Sequence, residues 1–547
     1  MSDNPSQTDQ FFAQPILNSP YVCPVRHWEL DETGQPTQKI VESRRSATFD
    51  TPIPKSKKAK KGSGKQDELA LGAGGDDSAA SEALRREVQT SLINEIRSQV
   101  AEWRVRPEHL WNVTAETAQL LRHWRTFPFS NQRPFFCQIE AAEVAIWLTE
   151  VANSTESGRK ILAQLLRSNR SAYEDEVPEA SMLYRICFKL ATGAGKTTVM
   201  AMLIAWQSVN AARRPTSDHF TRGFLIVAPG LTIRDRLRVL QPSDPDNYYV
   251  TRELVPLDLM GDVKRAKIVI TNYHSFKLRE RMELSAGGRA LLQGRGGDDL
   301  NTQETEGQMI QRVMPDLMGL KNIVVINDEA HHCYRERPAD EDDIELKGEE
   351  AEEAERANKA ARLWISGLEA VKRKLGVRAV YDLSATPFFI SGSGYPEGTI
   401  FPWAMSDFSL MDAIECGIVK LPRVPIAENI TGEEMPKYRD LWANIRNSMP
   451  KKARGSAEGL DPLQLPTLLQ TAMSSLYGHY EKTFKLWEEK RIGVPPCFII
   501  VCQNTAISKL VYDYVSGHYR KTPWAGHAEM CQLKCYSGGC PTTKPPP

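Results

Sequence analysis

KLATGAGKTTVM, Lys189 to Met200, decides how the rest of the chain is read. It follows one apolar run, YRICFKL (184–190), and leads into another, TVMAMLIAWQSV (198–209). Glycines at 193 and 195 let the backbone curl so that its N–H groups face an anion. A helix opening at Lys196 aims the positive end of its dipole at the same spot. In this pattern the Lys196 ammonium neutralises β/γ-phosphate oxygens and the Thr197 hydroxyl holds Mg²⁺. Thr192, Ala194 and Thr198 complete the loop. Leu190 stands where the general pattern has its first glycine, a departure that some ATPase families allow. The bland alternative is a Gly-rich turn before a helix. The strand-like run before GKT and the helix-like run after it favour a phosphate loop.

Outward from this loop, nearly continuous apolar runs recur: GFLIVAP (223–229), KIVITNY (267–273), NIVVIND (322–328) and AVYDLSAT (379–386). Helix-like stretches separate them. Such strands imply a parallel sheet covered on both faces, an α/β fold. NIVVIND runs into EAHHCYRER (329–337), which places Asp328 at the C-terminal end of its strand, where open α/β sheets bind ligands. Asp328 there can hold Mg²⁺ through water, and Glu329 can orient or deprotonate an attacking water. The rival is zinc on His331, His332 and Cys333, but three consecutive residues do not converge easily on one tetrahedral ion.

ATGAGKT, DEAH (Asp328 to His331) and SAT (Ser384 to Thr386) occur in the order found in superfamily 2 helicases and translocases, which this chain resembles. APGLTIRDRL (228–237) and TNYHSF (271–276) look like motifs Ia and Ib. The doubled histidine, LSATPFF and DAIECGIVKLPRVP (412–425) are similar to the Res subunits of type III restriction enzymes. The resemblance covers roughly 130–425 clearly and reaches more weakly to 515. It implies a RecA-like P-loop NTPase lobe that binds ATP and Mg²⁺, with Lys196, Asp328 and Glu329 catalytic. It also implies an adenine-reading Gln138 with Phe135 or Phe136 stacking, and a coupling relay of His331, Ser384 and Thr386. Thr232, Arg234, Thr271 and Asn272 are expected on the backbone of a nucleic-acid strand. DNA is the implied track and a modification methyltransferase the implied partner. RNA stays open as the substrate, and so does a chain that binds nucleotide or DNA without turnover.

The expected organisation is an irregular region with a disordered linker (1–81), a helical accessory segment (82–129) and the ATP-binding lobe (130–395). A largely helical connector (396–490) and an incomplete second RecA-like lobe (491–547) follow. In 82–104, Leu84, Val88, Leu92, Ile96 and Val100 recur at steps of four, one face of a helix. PPCFIIVCQNTAISKLVYDYV (495–515) reads as a strand followed by a helix. The tail after Pro523 has no apolar period and no GRxxR-like motif, so truncation is expected, and with it doubt about catalysis.

Composition excludes little. Charges balance at zero over 547 residues, so no global basicity advertises nucleic acid, although a local basic groove is compatible. Ten mostly scattered cysteines suit reduced thiols, and no apolar run reaches membrane length. A cytoplasmic protein is expected. Three weaker motifs are read as incidental. Glu345-Leu346-Lys347 fits a nuclease fragment but sits in an acidic run. His527, Cys531, Cys535 and Cys540 have unusual spacing for zinc. Asn358-Lys359 lacks the aspartate of a guanine reader.

Overall fold

The structure is a computed structural model that describes residues 9–31, 34–47, 77–173, 177–178, 181–279, 303–337, 349–390, 392–395, 397–422, 441–450 and 464–516. The Glu345 motif, the lysine run 57–61 and the cysteines of the tail lie outside these residues. The chain divides into two compact units, Met1–Leu421 and Pro422–Pro547.

The first unit is built on a six-stranded sheet. In chain order its strands are β3 (Arg185–Leu190), β4 (Gly223–Ala228), β5 (Lys267–Asn272), β6 (Ile323–Asp328), β7 (Val377–Ser384) and β8 (Ala404–Phe408). They lie side by side as β5-β4-β6-β7-β3-β8 and every pairing is parallel. The continuous apolar runs have a direct cause. Phe224, Ile226, Val324 and Ile326 join the core under the helix Lys196–Arg213. Their neighbours Leu225, Val227, Ile323 and Val325 point to the other face, against Trp364, Leu368 and Val371 of the helix Glu349–Leu375. Both faces are dry, so the period of two is hidden in sequence.

β8 departs from the expected lobe boundary at 395, because the sheet continues past it. AMSDF carries Ser406 and Asp407 at buried positions, so it lacks an apolar signature. Asp407 is held there by Lys189, the two side chains pairing at 2.9 Å. A buried charge is tolerated only when paired in this way.

The described parts of the N-terminal region are more ordered than the sequence implies, and the expected linker at 51–76 lies outside the described residues. β1 (His27–Leu30) and β2 (Pro36–Val41) form an antiparallel hairpin. Only Trp28 of β1 is buried, so four to six polar-rich residues gave no readable alternation. The Trp28 backbone N–H donates to Glu415 (3.0 Å), which also pairs with Arg45 at 2.6 Å, tying the hairpin to the end of the unit. The helix Asp77–Arg104 buries Leu92, Ile96 and Val100, three of the five residues of the expected stripe, while the side chains of Leu84 and Val88 lie outside the described ones. With Leu120 and Trp124 of the helix Ala115–Thr126 they join the core beneath the P-loop helix.

The second unit is helical among its described residues, with helices Leu441–Ile445, Thr467–Glu489 and Thr505–Ser516 around Ile445, Leu469, Met473 and Leu510. The strand expected at 495–501 does not form. Ile499 is 83% and Val501 90% exposed. A strand is stabilised by its ladder, and among the described residues this segment has no partner. The helix expected to follow it does form. Among the described residues no helix is long and apolar enough to cross a membrane.

Candidate active site

Strand register brings the motifs to one edge of the sheet. Lys189 of β3 is level with Ser384 of β7, and Asp328 of β6 is level with Leu383. The loop after β3, the acids ending β6 and the SAT turn ending β7 therefore emerge together. Asn272 ends β5 level with Ala228, so the two stretches resembling motifs Ia and Ib leave at the same edge.

The loop Thr192–Gly195 has the conformation its glycines predict. Gly193 (φ 86°) and Gly195 (φ 82°) are left-handed, a region that side-chain-bearing residues enter at a cost. Gly195 caps the 18-residue helix Lys196–Arg213. Thr192 and Gly193 are exposed, Lys196 and Thr197 half-buried, and Ala194 and Thr198 buried. An exposed backbone curl at a helix N-terminus fits a phosphate chain.

Lys196 Nζ lies 2.8 Å from Glu329 Oε1, closing the loop onto β6. Glu329 itself is strained, with φ 49°. Its backbone N–H donates to Asp328 Oδ1 at 3.1 Å. Burial, and then the neighbouring Glu329 charge, push the Asp328 carboxyl up to about 6. A desolvated acid beside a second acid is short of positive charge, which a hard cation with oxygen ligands supplies. Thr197 and Asp328 offer oxygen donors that would fit Mg²⁺.

His331 Nδ1 stands 2.9 Å from Ser384 Oγ, which also accepts the Thr386 backbone N–H at 3.1 Å. These are the three residues expected in the relay, and they are joined. Burial, and then His332, lower the His331 imidazole to about 4, so it is neutral at pH 7. Its 3.7 Å contact with Glu329 is then polar rather than ionic. Cys333 faces the core, with Sγ 3.8 Å from Asn327 Nδ2, and burial pushes its thiol up to about 12. His331 and Cys333 thus serve different partners, against a shared zinc site.

Gln138 departs from the adenine-reading expectation. It is 2% exposed. Its Oε1 accepts the Phe135 N–H (3.0 Å) and its Nε2 donates to the Ala194 carbonyl (2.9 Å). The amide braces the phosphate loop from beneath, and a Cβ on Gly195 would meet Nε2 at 2.3 Å. Phe136 is buried too, with the guanidinium of Arg104 4.9 Å from its ring centre. Phe135 is the half-buried ring, 5.8 Å from Tyr21.

The four candidate nucleic-acid contacts are unequal. Thr232 and Arg234 lie on the helix Leu231–Arg236, and their side chains are outside the described ones. Thr271 and Asn272 are buried. Asn272 Oδ1 accepts the Ser275 N–H at 3.1 Å and so caps the turn Tyr273–Phe276. The Asn358 side chain is likewise structural, accepting from the Tyr334 hydroxyl and donating to the Gly392 carbonyl, both at 2.7 Å.

One network was not foreseen. Asp382 of β7 accepts from Arg185 Nε (2.8 Å), Asn327 Nδ2 (2.8 Å) and Trp403 Nε1 (2.9 Å), and is wholly buried. Arg185 also donates to the Cys333 carbonyl at 2.7 Å. This fixes the strand and turn that carry Asp328 and Glu329. Arg185 in YRICFKL and Asp382 in AVYDLSAT, each a charge inside an apolar strand, were its only trace in sequence.

Comparison with known proteins agrees with this geometry. Residues 142–389 match the family model described as type III restriction enzyme, res subunit. No curated protein and no solved structure matches the chain. The matched span contains the phosphate loop, the acids of β6 and the SAT turn. Residues 142–389 are therefore similar to the helicase-like res subunit of type III restriction enzymes, on a RecA-type sheet.

Proposed function

We propose that the chain is an ATP-dependent motor that moves on DNA, the motor portion of a type III restriction-like enzyme. The observation that carries this reading is the closed pair of Lys196 and Glu329 across two strand ends, with Asp328 beside it. In this account residues 192–198 wrap the phosphates, and Lys196 exchanges Glu329 for β/γ-phosphate oxygens. That exchange frees Glu329 to orient and deprotonate the attacking water. Mg²⁺, held by Thr197 and Asp328, would screen the phosphate charge.

His331, Ser384 and Thr386 would carry the change at Glu329 toward the nucleic-acid face, as a relay of hydrogen bonds and not of charge. Thr232 and Arg234 would bind one strand through its backbone, which suits a motor indifferent to sequence, while the buried Thr271 and Asn272 would shape the turn Tyr273–Phe276 and not touch the strand. A methyltransferase subunit is the partner this reading favours, and the cytoplasm its location. The motor would span 130–395 together with β8, and the described parts of 1–129 would brace it through the shared core.

The test is ATP hydrolysis by the full chain, alone and with double-stranded DNA or RNA. Stimulation by DNA supports the reading, whereas stimulation by RNA alone makes the chain an RNA motor. Nucleotide binding with no hydrolysis under any condition would mean a chain that binds without turnover.

A further inference from the structure

Arg252 stands outside every motif, yet it reaches the phosphate loop. Its Nη1 donates to Thr198 Oγ1 at 2.8 Å, in the first turn of the P-loop helix. Its guanidinium lies over the Tyr248 ring, 3.8 Å from the centre, and Nη2 donates to the Tyr248 hydroxyl at 3.0 Å. The arginine is half-buried, and among the described residues no carboxylate pairs with it. Four arginines packed into this unit are each paired with an acid: Arg44 faces Glu140, Arg45 Glu415, Arg104 Glu143 and Arg185 Asp382. A partly desolvated guanidinium without an anion is costly and calls for one.

The segment bearing Arg252 is also fixed. Asn247 caps the turn Tyr248–Thr251, and the buried Tyr249 hydroxyl donates to the Leu240 carbonyl at 2.8 Å. The next residue, Glu253, is held in the left-handed region at φ 52°. Its carboxylate accepts the Ser130 N–H and hydroxyl at 2.7 and 2.6 Å, so it is turned to Ser130 and leaves Arg252 alone. Strain of this kind persists where the surroundings over-determine it. Arg252 is therefore pre-placed, with little rotamer freedom left to lose on binding.

We infer that Arg252, supported by Tyr248, binds the phosphate nearest the ribose, the α-phosphate of the nucleotide held by the loop 192–198. Lys196 is turned toward Glu329 and the hydrolysing end, whereas Thr198 is turned toward Arg252. The two cations thus address different parts of one phosphate chain. A planar fork with free N–H groups suits a phosphate with two non-bridging oxygens. The inference rests on the nucleotide reading above and adds a residue to it.

The test is a binding cycle on the full chain in Mg²⁺, without hydrolysis. Two probes are titrated: ADP, and an ADP analogue in which an uncharged methyl replaces one non-bridging oxygen of the α-phosphate. Wild type should bind ADP at least about tenfold more tightly than the analogue. In Arg252→Ala that difference should collapse, with ADP weakened and the analogue nearly unchanged. If Arg252→Ala does not fold, Arg252→Gln, which keeps one N–H for Thr198, is measured in the same way. Equal weakening of both probes would overturn the inference, since an arginine that merely props the helix cannot distinguish them. Failure of wild type to bind ADP at all would instead overturn the nucleotide reading beneath it.

Discussion

Lys196 Nζ and Glu329 Oε1 are 2.8 Å apart, so the cation of the phosphate loop and the carboxylate proposed to activate water neutralise each other. In the proposed site a nucleotide would have to break this pair before either side chain could act. Glu329→Gln removes the competing charge and leaves the loop intact. It should bind Mg·ATP at least as tightly as wild type while hydrolysis falls about 100-fold or more. Binding and single-turnover measurements on the same preparation check this. Weaker binding in the variant would mean that Glu329 helps hold the nucleotide.

Asp328 sets a pH dependence with a definite sign. Its carboxyl is raised from an ordinary 3.8 to about 6, so between these values the folded chain binds more protons than the unfolded one. Stability from this group is full below pH 4 and is lost as pH rises through 6. The ionised acid then costs about 3 kcal/mol at neutral pH. His331, lowered to about 4 from 6.5, acts oppositely and gains stability over nearly the same window. The two partly cancel in wild type, so the effect is read as a difference. Asp328→Asn should melt at a higher temperature than wild type at pH 7.5, with the gap closing toward pH 4. It should also lose the Mg²⁺ dependence of nucleotide affinity. A lower melting temperature at pH 7.5 would contradict the burial argument.

Gln138 braces the loop, its amide held by the Phe135 N–H and the Ala194 carbonyl. Gln138→Ala should therefore weaken ATP and GTP by similar factors, about tenfold, and leave their ratio unchanged. A selective loss of ATP would restore the adenine-reading role.

Asp382 anchors three side chains, those of Arg185, Asn327 and Trp403. Asp382→Ala leaves Arg185 buried without its anion and should destabilise the unit by about 3–5 kcal/mol, measured by denaturant unfolding. A cost below about 1 kcal/mol would show that the network is dispensable.

How much of this was legible in the sequence varied with the physics of each element. The five strands carrying motifs, or lying between them, are apolar because both faces are buried, and they read directly. β8 did not, because Asp407 enters the core through an ion pair with Lys189, a residue more than two hundred positions away. The segment 495–501 erred the other way: CFIIV has strand composition, but composition supplies no ladder partner. In the site, Lys196, Asp328, Glu329, His331, Ser384 and Thr386 were all found by motif, and the structure brings them together. Gln138 was singled out, but its partner, the Ala194 carbonyl, depends on how the helix Phe136–Ile146 packs. Arg252 gave no signal, because its role depends on a contact with Thr198, 54 positions away.

In the proposed function residues 192–198 and Asp328–Glu329 form one nucleotide site. Equilibrium binding of Mg·ATP to the full chain and to Lys196→Ala tests it most directly. Wild type should bind, and the variant should lose about 100-fold in affinity or more. Equal binding by the two proteins, or none by either, would contradict the account.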